Sequence, residues 1–220
     1  MERRTILKGG AALGLAAGIA PRSLLAADPV KVGFMLVGPK NDTGWSQHHY
    51  DAAMKAKEKL GDGVELMVQE SVAEGADAER VMSQMALGGA KLIFATSFGY
   101  MDSVQNVAAK FPKVMFEHAT GYKTAPNASA YNARFYEGRA VCGYIAGKMT
   151  KTNKIGYIGS FPIPEVVQGI NSSFVNARKA NPAVEIAVVW ISTWFDPAKE
   201  ADATKALLDQ GCDVVLAHTD

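Results

Sequence analysis

The tightest constraint on this chain is the eight-residue run Val-Lys-Val-Gly-Phe-Met-Leu-Val at 30–37, followed at once by Gly38 and Pro39. It is short enough for a strand and apolar enough to be buried on both faces. Such a run suits the centre of a parallel sheet. Gly38 and Pro39 end it. Asn41, Asp42 and Thr43 then offer N-caps for a helix whose apolar and small positions include Tyr50, Ala53, Met54, Ala56 and Leu60. Strand, polar loop and helix follow in that order, which places the loop at the carboxyl end of the strand. In open α/β sheets that is where ligands sit.

The same grammar runs through the rest of the chain. Strands are expected at 64–69, 91–95, 113–117, 154–159, 183–190 and 213–217. Helices are expected at 77–87, 102–110, 135–150, 165–180 and 198–210. Glycines close two of them, at Gly88-Gly89 and Gly211. The segment 121–132 is weakly periodic and reads as a loop with one short strand. Alternating strands and helices with loops of ordinary length imply α/β architecture: parallel sheets with helices on both sides. Thr152-Asn153 marks a boundary, after which the pattern starts afresh. The expected organisation is one α/β lobe over 28–150 and the beginning of a second over 151–220. The chain stops directly after a strand that a helix would normally cover, so the second lobe is expected to be incomplete.

Residues 1–27 stand apart from this pattern. Arg3-Arg4-Thr5-Ile6-Leu7-Lys8 is a twin-arginine pattern, a Gly/Ala/Leu run follows, and small residues at Leu24-Leu25-Ala26-Ala27 offer a cleavage site. The run is too short and too rich in Gly and Ala for a membrane span, so no stable membrane insertion is expected once the leader is removed. No cysteine lies near the cleavage site to take a lipid. Removal of 1–27 takes four basic residues and one acidic one, leaving 19 basic against 21 acidic, a net charge of −2. That balance carries no footprint for nucleic acid. Cys142 and Cys212 have no metal-type spacing, and each lies in apolar sequence, so two buried free thiols are expected.

Several loops at strand ends pair an aromatic with a polar residue: Asp42 with Trp45, Phe98 with Tyr100, Glu117 with His118, and Trp194-Phe195 with Asp196. Each aromatic taken singly reads more readily as core packing. In parallel sheets, however, these loops gather along one rim. A cleft lined by ring faces and carboxylates suits a flat ligand with several N–H donors, such as a nucleobase. Enzymatic readings find less support. There is no phosphate-binding glycine loop and no nucleophile elbow, so no cofactor and no catalytic residue is assigned. His48 and His49 are adjacent on a helix and point about 100° apart, which does not suit one metal ion.

Asp42-Thr43-Gly44-Trp45-Ser46-Gln47, the run 94–100, Tyr136-Glu137-Gly138-Arg139, Lys154-Ile155-Gly156-Tyr157-Ile158-Gly159 and Trp194-Phe195-Asp196-Pro197 together resemble the basic membrane protein family. Its members are periplasmic substrate-binding proteins of ABC importers, similar to the purine nucleoside receptor A group. The resemblance spans essentially the whole chain after residue 27. It implies a type I periplasmic-binding-protein fold of two Rossmann-like lobes. It also implies a purine base or nucleoside held between aromatic rings and delivered to an ABC permease. On that resemblance Trp45 falls where many members carry Phe, and Trp194-Phe195 falls at the opposing aromatic. Asp42 falls at the polar residue of the first loop, and Glu117 where nucleoside binders tend to have Asp. The family's usual lipoprotein cysteine is absent, which implies a freely diffusing periplasmic protein. The remaining readings are a sensory protein presenting the same liganded cleft to a receptor and a nucleoside-acting hydrolase.

Overall fold

The computed structural model describes residues 28–219, and the expected leader at 1–27 lies outside them. In chain order the elements are β1 (Val30–Met35), α1 (Trp45–Leu60), β2 (Val64–Gln69), α2 (Ala76–Leu87), β3 (Leu92–Ala95), α3 (Met101–Lys110) and β4 (Met115–Ala119). There follow β5 (Ala128–Tyr131), α4 (Phe135–Met149), β6 (Lys154–Gly159), α5 (Pro164–Ala180), β7 (Glu185–Trp190), α6 (Pro197–Asp209) and β8 (Val214–His218). Five strands form one sheet in the order β2-β1-β3-β4-β5, and three form a second in the order β7-β6-β8. Every ladder is parallel.

β1 sits between β2 and β3, so both of its faces must be apolar, and the sequence supplies this. Val32 and Phe34 pack with Ala53 on the α1 side, where Phe34 and Phe94 stack with centroids 4.5 Å apart. Met35 turns to the opposite face and joins Ile93, Phe116, Met82 and Val104 beneath α2 and α3. Gly33 lets α2 approach: a Cβ there would lie 2.7 Å from the Met85 sulfur. In the second sheet, Ile158 packs with Leu207 and Cys212 under α6, while Ile155 packs with Ala146 and Ala177 under α4 and α5. The glycine-rich helix α4 packs on α5 backbone to backbone. A Cβ on Gly143 or Gly147 would collide with the carbonyl of Ser173 or Ala177.

Two expectations change, the extent of β4 and the burial of Cys142, while a third is met. β4 continues to Ala119 because His118 still pairs with Ala95 on β3 and Ala119 with Tyr131 on β5. Glu117 and His118 therefore stand inside the strand, not at its carboxyl end. The short strand expected in 121–132 is β5, which closes that edge of the sheet. Cys142 is exposed, not buried, whereas Cys212 is buried, and both are free thiols. The reason is rotational: α4 buries Gly143, Ala146 and Gly147, and Cys142 lies a helical step round from that face.

Candidate ligand-binding site

Strands that all point one way bring their carboxyl ends, and the loops after them, to one side of each sheet. Those loops line a cavity of about 60 Å³ that is open to solvent on one side. That is smaller than the roughly 300–1,000 Å³ usual for small-molecule sites. The first sheet contributes Val37 and Trp45 after β1, Ser97 and Phe98 after β3, and Thr120 after β4. The second contributes Ile163 and Glu165 after β6, Trp194 after β7, and His218 and Thr219 at the end of β8. Of the residues expected to bind ligand, the structure thus brings Trp45, Phe98 and Trp194 together on one cavity.

Trp45 owes its position to Asp42. The Asp42 carboxylate is buried and accepts the backbone N–H groups of Gly44 at 2.9 Å, Ser46 at 2.8 Å and Gln47 at 2.9 Å. It satisfies the first-turn amides of α1 although it precedes the capping residue Gly44 by two positions. Burial works to raise its pKa, but the bonds from Gln47, Gly44 and Ser46 outweigh this and hold the carboxyl below its ordinary value. Trp45 is the first residue of α1. Its indole N–H donates to the Thr96 carbonyl at 2.6 Å, and its ring lies 4.5 Å from the His49 ring. The ring is thereby held by β3 on one side and by its own helix on the other. Phe98 lies 6.2 Å from Tyr122, and Trp194 lies 5.1 Å from Phe161.

The polar groups of the cavity come mainly from the second sheet. Glu165 lies in the first turn of α5, with its Oε1 3.8 Å from Nε2 of His218. The other ring nitrogen of His218 is 3.2 Å from the Tyr157 hydroxyl. Oε2 of Glu165 and Nε1 of Trp194 are buried without a protein partner among the described residues. Beneath Ser97, the buried His118 donates from Nε2 to the Ser97 carbonyl at 2.7 Å. Burial pushes its pKa down, so the ring is neutral at pH 7 with its proton on Nε2. Thr120 holds a φ of 65°, unusual for a β-branched residue and typical of strain kept at functional sites.

The other expected site residues take different positions. Tyr100 is fully buried and donates to the Val72 carbonyl at 2.6 Å, and burial pushes its pKa up. Glu117 is half-buried in mid-strand. It faces Tyr131, whose pKa is pushed up to about 12 first by burial and then by that carboxylate. Phe195 is exposed, and Asp196 caps α6 by accepting from the Lys199 N–H at 3.1 Å. None of these four lines the cavity. His48 and His49 each spend a ring nitrogen on the carbonyl four residues back, and no group of metal-ligating side chains occurs among the described residues.

Seven lining residues were not among those expected, Ser97, Thr120, Glu165 and His218 among them. His218 had a usable signal, since it directly follows an expected strand, whereas Glu165 reads in the sequence as an ordinary first-turn acid. The φ of Thr120 leaves no trace there.

Comparison with known proteins extends this picture. The family model of PnrA-like ABC transporter substrate-binding proteins, Bmp, matches residues 29–220. A purine-binding protein of Brucella abortus is 59% identical over 195 residues, covering 89% of this chain and 56% of its own length. A putative ABC transporter glucose-binding protein of Haloferax volcanii is 42% identical over 193 residues, covering 88% and 49%. The chain therefore spans about half the length of the curated relatives it matches. Among solved structures, a solute-binding protein of an ABC transporter system from Aeropyrum pernix superposes with a TM-score of 0.74 at 21% identity, covering 86% of this chain and 55% of that one. That likeness bears on the fold, which is the type I periplasmic-binding-protein fold.

Proposed function

Because the chain belongs to the Bmp family of PnrA-like ABC transporter substrate-binding proteins, we propose that it binds a purine base or nucleoside between its two sheets for delivery to an ABC permease. The observation that carries this reading is the cavity itself. Trp45 and Phe98 from one sheet and Trp194 from the other surround it, with buried polar atoms of Glu165 and Trp194 beside them. Stacking on a ring and hydrogen bonding at an edge are what a purine requires. The purine-binding name of the Brucella relative, the more similar of the two, points the same way.

In this reading residues 28–150 and 151 onward act as two lobes that close on the ligand about their connections. The role is capture rather than turnover. Substrate-binding proteins of ABC transporters work outside the cytoplasmic membrane. The twin-arginine pattern at 3–8 supports export to the periplasm in folded form, and the sequence around residue 27 has no cysteine to carry a lipid. No described helix is long and apolar enough to cross a membrane.

The Haloferax relative's name favours a second reading, a hexose, since aromatic faces also pack on sugar rings. Thermal unfolding with adenine, hypoxanthine, adenosine and glucose separates the two. A ligand at a hundredfold excess over its dissociation constant stabilises by about 2.7 kcal/mol. A rise in melting temperature with a purine and none with glucose is expected. A rise with glucose alone overturns the purine reading.

A further inference from the structure

Two buried polar atoms at the cavity have opposite hydrogen-bonding character. Oε2 of Glu165 can only accept when the carboxyl is ionised, and Nε1 of Trp194 can only donate. Neither has a protein partner among the described residues, though both side chains line the cavity. A third buried atom without a partner among those residues, Nδ1 of His118, belongs to a residue that does not line the cavity. Of the other polar groups around the site, Asp42 holds the start of α1, the Trp45 indole is bonded to Thr96, and Nε2 of His118 is bonded to Ser97. A buried acceptor or donor left unmet is costly, most of all when it carries charge, so a group that meets it gains correspondingly. The Glu165 carboxyl is also well positioned. Its other oxygen faces His218, which Tyr157 contacts in turn, so the carboxyl is steered by a chain of side chains anchored in β6 and β8.

We infer that Glu165 and Trp194 form an acceptor–donor pair that reads one edge of the ligand, with Glu165 selecting for an N–H donor and Trp194 for the acceptor beside it. The inference rests on the purine reading above and deepens it. Purine bases carry such neighbours on more than one edge: an exocyclic amino group beside a ring nitrogen, or a ring N–H beside a ring nitrogen. Glu165 therefore sets specificity, while Trp45 and Phe98 supply stacking that is indifferent to the edge.

The test is calorimetric titration of the full chain with adenine, with purine (which lacks the amino group) and with 9-methyladenine (which lacks the ring N–H at that position). Wild type should bind adenine and lose tenfold or more for one of the two analogues. In Glu165→Met, which keeps the bulk and removes the acceptor, adenine should weaken by tenfold or more. The analogue that lacks the donor should change by less than twofold. Glu165→Gln keeps the shape but loses the charge and should fall between, and it serves if the Met variant does not fold. Trp194→Phe keeps the ring and loses the donor, and should weaken adenine about three- to tenfold. Unchanged adenine affinity in the Glu165 variants, or equal weakening of all three compounds, overturns the inference and leaves the purine reading intact. Absence of any purine binding by wild type overturns that reading instead.

Discussion

The loop that presents Trp45 depends on one carboxylate, so Asp42→Asn tests the local architecture with little change in shape. In wild type Oδ1 accepts from Gly44 and Gln47, and Oδ2 accepts from Ser46. Asparagine can keep its oxygen at the doubly bonded position, but its amide then faces the Ser46 N–H, donor against donor. That orphans one buried N–H, a loss of about 1–3 kcal/mol. The two surviving bonds lose charge assistance, which roughly halves them. Capping residues as a class contribute about 0.5–2 kcal/mol, and these effects overlap. The expected loss is therefore about 2–3 kcal/mol. For a chain of this size it appears as a drop of about 5–10 °C in melting temperature. The sign of the pH dependence follows from the lowered pKa. The carboxylate's contribution is fully present above the ordinary value of 3.8 and is lost as pH falls through the lower folded value. The gap between wild type and variant should narrow as melts are taken from pH 7 into that acid range. A variant melting within about 1 °C of wild type at pH 7 refutes the assignment, as does a gap that widens in acid.

Trp45→Ala should weaken purine binding by about 1–3 kcal/mol, the usual worth of a base–aromatic stack, and unchanged affinity in titration calorimetry removes Trp45 from the site. Two glycines of α4 should respond oppositely in urea unfolding. Gly143→Ala collides with the Ser173 carbonyl and should cost about 1–3 kcal/mol, whereas Gly138→Ala meets open space and should gain about 0.5–1 kcal/mol. Asp213 accepts from Thr150, Lys151 and Thr152, and these bonds lower its pKa to about 2. Its contribution is present above the ordinary carboxyl value and is lost as pH falls toward 2. Asp213→Asn should therefore melt lower than wild type at pH 7, with the difference shrinking in acid scans.

Much of this fold was legible because parallel strands must be apolar on both faces. The run at 30–37 could hardly be anything else, and the glycines and prolines after each element fixed where the chain turned. The placement of loops at strand ends followed from topology alone. Trp45, Phe98 and Trp194 were readable for that reason. What the sequence did not disclose was which member of each aromatic–polar pair turns to the cavity and which turns inward. Asp42 and Asp196 look like ligand-binding acids, yet both carboxylates are occupied by helix amides. Tyr100 follows Phe98 by two residues, but the short helical turn at 98–100 rotates it into the core. Glu117 was misplaced because the extent of β4 depends on its pairing with β5, a four-residue strand whose register the sequence does not reveal. Glu165 looked like an ordinary first-turn acid, and only the cavity shows that one of its oxygens is left unpartnered.

The two sheets contribute unequal chemistry, and the reason lies in α4. This helix carries the chain from β5 to β6 and packs against α5 so closely that two glycines are required at the contact. The first turn of α5 holds Glu165. Arg139 on α4 also donates to the Ala217 carbonyl at 2.6 Å, next to His218. Glu165 and His218 are therefore carried by one tightly packed unit of α4, α5 and β8. Trp45 and Phe98, by contrast, are fixed to the first sheet through Thr96 and the turn after β3. Each half of the proposed recognition surface is anchored within its own sheet. A ligand stacked on the rings of one and bonded to the carboxylate of the other can be held fully only when both halves face it. Differential contact of that kind is what allows a small molecule to bias a closing motion. The aromatic half alone would bind many flat molecules weakly, and the polar half alone would have nothing to orient its partner. In the proposed site, stacking thus comes mainly from the first sheet and edge recognition from the second.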